Sequence, residues 1–267
     1  MAGSQGRSLG RESRETVELP HSGFEGLRFI DSHLHLADYD DSGQPLAFAA
    51  ASRGLLVTAG TGAKNSARGA ALSKQHPTLV RSFVGVHPSE AGKEGSPSWL
   101  EDMLPAAAGL GEIGLDPKYS EVASGSAQMK LLRFQLGFAE KAGKPVQVHS
   151  RGAERECLDV LGTYKLKAVL LHWFQGEETL GEANGLGYYA SFGPALLISK
   201  KLKRMAKVWG RDRVLVESDG PVGFAALGGA GGPWLVPSVV FELSRLLGSP
   251  FEEAADAIVE NSLSFLG

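Results

Sequence analysis

Eight short β-rich runs separated by helix-length stretches, a polar residue at the end of run after run, and a length of 267 residues together predict a single α/β unit, a (β/α)8 barrel. The placement of the polar residues decides between barrel and open sheet. In a closed barrel every strand end on one side gathers at one mouth, whereas an open sheet strings them along an edge.

Phe29 to His35 is an apolar run that reaches a polar edge and reads as the first strand. Pro45 to Ser52 is Ala-rich and helical in character, and Leu55-Leu56-Val57-Thr58 reads as a short buried strand. A helix over Ala63 to Gln75 precedes a third strand over Leu79 to Val86, which runs into His87-Pro88. The alternation continues with a strand at 109–113, a helix at 126–142, a strand at 145–149 and a helix at 152–162. Further strands are expected at 167–172, 187–191 and 213–217, with helices at 176–184 and 199–208 between them and at 235–247 and 251–265 after them.

Composition bounds the function. The chain is 43% hydrophobic and 21% charged, with a net charge of -3, so it does not coat nucleic acid by bulk charge. If it acts on a phosphodiester, local charge or bound metal must supply the attraction. Cys157 is the single cysteine, which excludes an intramolecular disulfide and suits a reducing, cytoplasmic interior. No apolar run approaches the roughly 18 residues of a membrane span, and no obligate protein partner is evident. Residues 1–25, rich in Gly, Ser, Arg and Glu without hydrophobic periodicity, are expected to be a flexible extension to a barrel domain over 26–267. They lack the apolar middle of a secretory signal, and Glu12, Glu15, Glu18 and Glu25 argue against a transit peptide.

The strand ends carry chemistry. Side chains two apart on a strand share a face, so His33 and His35 converge on one point and form half a metal site. Glu112, His149, His172 and Asp219 close the fourth, fifth, sixth and eighth strands. Four imidazoles and two carboxylates converging on one mouth are hard to explain as core, because each would need its own buried partner.

The pieces Asp31-Ser32-His33-Leu34-His35, Gly85-Val86-His87-Pro88, Gly111-Glu112-Ile113-Gly114-Leu115-Asp116, Pro145-Val146-Gln147-Val148-His149-Ser150-Arg151, Leu171-His172-Trp173-Phe174 and Glu217-Ser218-Asp219-Gly220-Pro221 resemble, in that order, the TatD family of metal-dependent hydrolases and deoxyribonucleases within the amidohydrolase superfamily. The resemblance runs from residue 28 to the C-terminus. It implies a site for two divalent metal ions, one on His33, His35 and Asp219, the other on His149 and His172, with Glu112 bridging. Ligation by nitrogen and oxygen fits Zn, Mn or Mg.

Asp219 is the candidate to orient a water and accept its proton, alongside Glu112. His87, Arg151 and Asp116 are assigned to substrate, with Asp116 equally readable as a turn-stabilising residue. Asp31 and Glu217, each two residues before a ligand, are expected to point into the barrel and support ligand groups or to form an internal salt bridge. Trp173 and Phe174 are wall or base platform. Lys200, Lys201, Lys203 and Arg204 are a solvated helix face or a steering patch, and Gly223 to Gly232 is a mobile connection near the mouth.

Three departures surround the metals: Pro117-Lys118 where aromatics are frequent, Ser89 after His87-Pro88, and Gly220 where Ala or Ser is usual. They bear on substrate choice. The leading expectation is a 3′-to-5′ exonuclease-type phosphodiesterase with DNA ends or single strands as substrate. An esterase, amidase or lactonase on a small molecule is a second reading, and a metal-binding protein without turnover a third.

Overall fold

The computed structural model describes residues 26–93, 96–224 and 229–267. The expected extension over residues 1–25, with His21, lies outside the described residues.

Strands β1 (Ile30–Leu34), β2 (Leu55–Ala59), β3 (Val80–Val84), β4 (Gly109–Gly114), β5 (Val146–His149), β6 (Val169–Leu171), β7 (Tyr189–Phe192) and β8 (Val214–Val216) pair in parallel in sequence order. The helices are α1 (Gly43–Ala51), α2 (Ala63–Gln75), α3 (Trp99–Met103), α4 (Gly125–Ala142), α5 (Glu154–Leu161), α6 (Leu180–Gly185), α7 (Lys200–Trp209), α8 (Val236–Leu247) and α9 (Phe251–Leu266). This is the predicted (β/α)8 barrel. No helix of the described residues is long and apolar enough to cross a membrane.

The barrel interior holds Ile30, Leu55, Val57, Phe83, Leu170, Tyr189 and Leu215, and Phe265 of α9 plugs it from one end by stacking on Phe83 at 5.8 Å. A larger apolar layer lies between strands and helices and includes Leu110, Ile113, Val148, Phe192 and Val239. Alternation along each strand divides its residues between these two layers. Helix ends follow local chemistry. Ser124 and Ser199 cap α4 and α7 by accepting from Ala127 N and Leu202 N.

β8 meets β1 through a stitched seam. Ser32 Oγ donates to Val216 O at 2.6 Å, Asp219 N to His33 O at 3.0 Å, and His35 N to Gly220 O at 2.7 Å. That seam closes the barrel and brings the end of β8 against the histidines of β1.

Two β-bulges correct the simple alternation. Between Asp31 and Leu34 the chain of β1 advances three residues while β2 advances two, from Leu56 to Thr58. β4 does the same between Leu110 and Ile113 against Val146 and Val148 of β5. An extra residue reverses the phase of a strand. In β4 it turns two successive residues inward. A Cβ on Gly111 would stand 2.7 Å from the Gln147 Cβ, and Glu112 reaches the centre of the mouth. In β1 it puts Asp31 outside the wall, beside Phe48, Leu56 and Val236, while His33 faces in. The expectation that Asp31 points into the barrel fails for this reason.

Two segments differ from expectation. The helix expected at 176–184 is limited to Leu180–Gly185, and the Pro- and Ser-rich loop after β3 carries the short α3. Within the Gly-rich run, β9 (Gly223–Phe224) pairs antiparallel with β10 (Gly229–Ala230); residues 225–228, where mobility was expected, lie outside the described residues.

Candidate metal centre and active-site cavity

At the C-terminal mouth, His33, His35, Glu112, His149, His172 and Asp219 come together around the Glu112 carboxylate. Its Oε2 faces His35 Nε2 at 3.4 Å and His33 Nε2 at 3.7 Å. Its Oε1 faces His149 Nδ1 at 2.7 Å and His172 Nε2 at 3.1 Å. Asp219 Oδ1 completes the first half, 3.3 Å from His35 Nε2 and 3.6 Å from His33 Nε2. The ligand atoms of His33, His35 and Asp219 all lie within 4.8 Å of one another, as do those of His33, Glu112 and His172. Glu112 thus divides the cluster into two halves and presents one oxygen to each.

Each imidazole is held by its other nitrogen. Gln147 Oε1 lies 2.9 Å from His33 Nδ1, and its amide orientation is fixed because Nε2 donates to Ser32 O at 2.7 Å. An amide oxygen only accepts, so His33 carries its proton on Nδ1 and turns a bare Nε2 toward the carboxylates. By the same logic Ala59 O, 3.3 Å from His35 Nδ1, leaves His35 Nε2 pointing at the centre. Glu217 lies 3.2 Å from His172 Nδ1 and is itself held by Ser191 Oγ at 2.5 Å. His149 is clamped between Glu112 and Asp116 Oδ2, at 2.7 Å each.

His87 differs. The Ser89 backbone N–H donates to its Nδ1 at 3.2 Å, so the neutral ring carries its proton on Nε2, 3.6 Å from Glu112 Oε1. It presents a donor where His33 presents a lone pair.

The residues fit a metal cation. His33 Nε2 is buried with no hydrogen-bond partner, and the carboxylate oxygens it faces, at 3.6 and 3.7 Å, are too far for a hydrogen bond. A bare nitrogen and bare carboxylates around one point are the surroundings of a metal ion. Protons compete for the same lone pairs. Burial alone would lower the His35 pKa, but Asp219 and Glu112 raise it to about 9. Burial opposes a charge on His172 as well, yet Glu217 and Glu112 push its pKa well up. Burial and the neighbouring His172 hold His33 well below its usual value, so it stays neutral. Burial disfavours the Glu112 anion, but the surrounding imidazoles keep its pKa well below the usual range.

The remaining expected residues are placed as follows. Glu217 reaches His172, as a supporting group would. Asp31 instead grips the β8 loop: it accepts from Ser218 N at 2.9 Å and from Ser218 Oγ at 2.5 Å, and burial raises its pKa to about 7 despite those bonds. The carboxylate that follows in the chain, Asp219, has a positive φ of 52°, and Asp31 helps hold that loop in place. Asp116 is 0% exposed, with Oδ1 taken by Lys118 N and Oδ2 shared by His149 and Arg151. It therefore orients those two groups and does not open onto the cavity. Burial would raise its pKa, but His149 and Arg151 bring it down to about 2.

Phe174 is 1% exposed and part of the core, which removes it as a platform. Of the basic cluster, Lys203 pairs with Glu242 and Arg204 with Glu177.

Gly220 answers one departure. A Cβ there would stand 2.0 Å from Tyr39 Oη and 2.7 Å from Gly231 O, so glycine is what lets Tyr39 bond Gly231 O at 2.9 Å. Sequence reasoning missed Gln147, although it stands two residues before His149 and so shares its face. It also missed Tyr119, which enters the site from a 3-10 turn over Pro117–Tyr119.

The cluster opens into a cavity of about 580 Å³ lined by His35, Lys64, His87, Glu112, Tyr119, His149, Arg151, His172 and Asp219, among others. Lys64 and Arg151 supply the local positive charge that the acidic net charge does not.

Comparison with known proteins agrees with this arrangement. The family description "TatD related DNase" matches residues 30–267. The human deoxyribonuclease TATDN3 is 24% identical over 258 residues, which cover 89% of this chain and 94% of that protein. The 3'-5' ssDNA/RNA exonuclease TatD of Erwinia tasmaniensis is 30% identical over 179 residues, 63% of this chain and 68% of that protein. Among solved structures, the Escherichia coli TatD homologue YJJV superposes with a TM-score of 0.74 at 25% identity, over 89% of this chain and 97% of that one.

Proposed function

This chain belongs to the TatD-related DNase family, and from that premise we propose that it is a metal-dependent phosphodiesterase that shortens DNA from single-stranded or 3′ ends. The observation that carries the reading is the partnerless His33 Nε2 beside a Glu112 carboxylate that offers one oxygen to each half of the cluster. His33, His35 and Asp219 would hold one divalent ion and His149 and His172 the other, with Glu112 available to both. Zn, Mn and Mg are each compatible with these donors. Such ions supply Lewis-acid polarisation of a phosphoryl oxygen and a lowered pKa for water.

The protein's own groups do the rest. Asp219 lines the cavity and orients the attacking water, accepting its proton. Arg151, steadied by Asp116 through Nε at 2.8 Å and Nη2 at 2.6 Å, meets a phosphate oxygen at the cavity wall. The Nε2–H of His87 is a hydrogen-bond donor to a phosphate or leaving oxygen. Burial, only partly offset by Glu112, lowers its pKa to about 4, which keeps it neutral at physiological pH. We place the enzyme in the cytoplasm, where the free, buried Cys157 suits a reducing compartment.

The test offers labelled single-stranded DNA, RNA and a panel of carboxylic esters and amides to protein loaded with Mn²⁺ or Mg²⁺. Stepwise shortening of DNA from its 3′ end, lost with EDTA and in Asp219→Asn, is the expected result. Turnover of an ester or amide with DNA left intact would refute it. Metal content after purification counts the ions directly.

A further inference from the structure

We propose that Tyr119 is the specificity-determining residue of the cavity: its ring stacks on the nucleobase beside the scissile phosphate, while Arg151, held next to it, engages that phosphate. The inference rests on the phosphodiesterase reading above. It adds the feature by which a nucleotide is distinguished from a plain phosphate diester.

Among the described residues lining the 580 Å³ cavity, Tyr119 is the one aromatic side chain other than histidine. Its neighbours separate a platform from a wall. A wall ring packs its faces against hydrocarbon, yet Tyr119 belongs to none of the apolar clusters of the described residues. What it meets is polar and planar: the His87 ring lies edge-on at 5.5 Å, and the Arg151 Cζ lies 5.5 Å from the phenol centroid. With the guanidinium over the phenol, the two groups form a planar stack that a base can extend, whatever its identity.

The ring is also pre-positioned. It sits at the end of the Pro117–Tyr119 turn, where Pro117 restricts the backbone and Asp116 Oδ1 accepts from Lys118 N at 2.9 Å. Asp116 holds Arg151 through its other oxygen, so one buried carboxylate fixes both parts of the proposed clamp. Little conformational freedom is lost when such a ring meets a ligand. The competing aromatics pack against hydrocarbon. Phe174 is in the core and Trp173 packs against it, at the edge of an adjoining pocket of about 200 Å³ that shares Arg151, His149, His172 and Asp219 with the main cavity. The sequence lacks aromatics directly after Asp116; Tyr119, three residues on, delivers one to the cavity by way of the turn.

Two 5′-labelled single strands test this: an ordinary oligonucleotide, and one whose two 3′-terminal nucleotides are abasic. Both are compared on the metal-loaded wild type, Tyr119→Phe and Tyr119→Leu, by kcat/KM and, as non-hydrolysable phosphorothioates, by the Kd from fluorescence anisotropy. The wild type and Tyr119→Phe are expected to favour the base-bearing strand by roughly 5- to 100-fold, and Tyr119→Leu to bring that ratio within about two-fold of unity. A ratio unchanged in Tyr119→Leu overturns the proposal, and so does a loss in Tyr119→Phe as large as in Tyr119→Leu, because the hydroxyl would then be responsible. The half-buried ring fills no apolar core, so truncating it leaves the fold intact; circular dichroism checks this. Shortening of both strands without base preference sinks this inference and spares the phosphodiesterase reading. Base preference in Kd with neither strand cut does the reverse.

Discussion

Gln147→Met tests whether the metal centre depends on the tautomer of His33. Methionine matches glutamine closely in length and volume and offers no acceptor to match the amide oxygen. The substitution removes the acceptor 2.9 Å from His33 Nδ1 and the donor 2.7 Å from Ser32 O, both deep in the barrel. Each orphaned buried group costs about 1–3 kcal/mol, so the loss should be about 2–6 kcal/mol before the better burial of a thioether is credited. In a domain of this size that corresponds to a fall in Tm of at least about 4 °C. The larger effect is on the ions. Freed from Gln147, His33 can place its proton on Nε2 and so withdraw a ligand. Loss of such an orienting partner weakens metal affinity by roughly 10- to 100-fold. Competition titration with a chromogenic chelator reads the affinity, and thermal denaturation with and without metal reads the stability. A folded Gln147→Met protein with wild-type affinity would refute the tautomer argument.

Glu112→Gln keeps the shape of the shared ligand and removes its charge; metal content should fall below two ions, and kcat/KM by roughly a thousand-fold, the equivalent of about 4 kcal/mol of lost charge stabilisation. Gly220→Ala forces a Cβ to within 2.0 Å of Tyr39 Oη, and overpacking of this kind costs about 1–3 kcal/mol. Adding Tyr39→Phe removes the clashing oxygen, so the double variant should regain part of the lost Tm, whereas strict additivity would count against the clash. Asp116→Asn should lose about 1.5–3 kcal/mol at pH 7 with the charged hydrogen bonds to His149 and Arg151. Because the folded pKa of Asp116 is lowered from 3.8 to about 2, its contribution is complete above pH 3.8 and disappears as the pH falls toward 2. Urea midpoints across that window should therefore fall less steeply in Asp116→Asn than in the wild type.

The parts of the site that the sequence carries legibly are those written in short-range pattern. Apolar runs ending in His, Glu or Asp mark strand ends, and the barrel brings strand ends together; His33, Glu112, His172 and Asp219 accordingly meet at one mouth. Asp31 and Glu217 show where pattern stops. Both stand two residues before a ligand, yet Glu217 supports His172 while Asp31 faces out. The difference is the bulge in β1, a property of its pairing with β2, and no periodicity within β1 contains it. Tyr119 was hidden for a related reason, since only the three-dimensional course of the 3-10 turn brings it to the cavity. Gln147 was within reach of the same two-residue rule, but a neutral amide has no ionisable group to draw attention to it.

The division of labour among the five histidines is written at their outer nitrogens. Three of the rings turn Nδ1 to an acceptor: an amide oxygen for His33, a backbone carbonyl for His35, a carboxylate for His172. His149 is reversed. Its Nε2 is held by Asp116 and its Nδ1 faces Glu112, which follows from its place at the tip of β5 next to the Asp116 turn. His87 receives a backbone N–H and must offer a proton of its own to the cavity. Composition treats these five rings as equivalent, but their outer partners differ, and the proposed assignment of four to holding cations and one to donating a hydrogen bond follows those partners. The assignment is carried by backbone and buried side chains around the mouth, so changing a ring's outer partner should alter its role even when the ring itself is untouched.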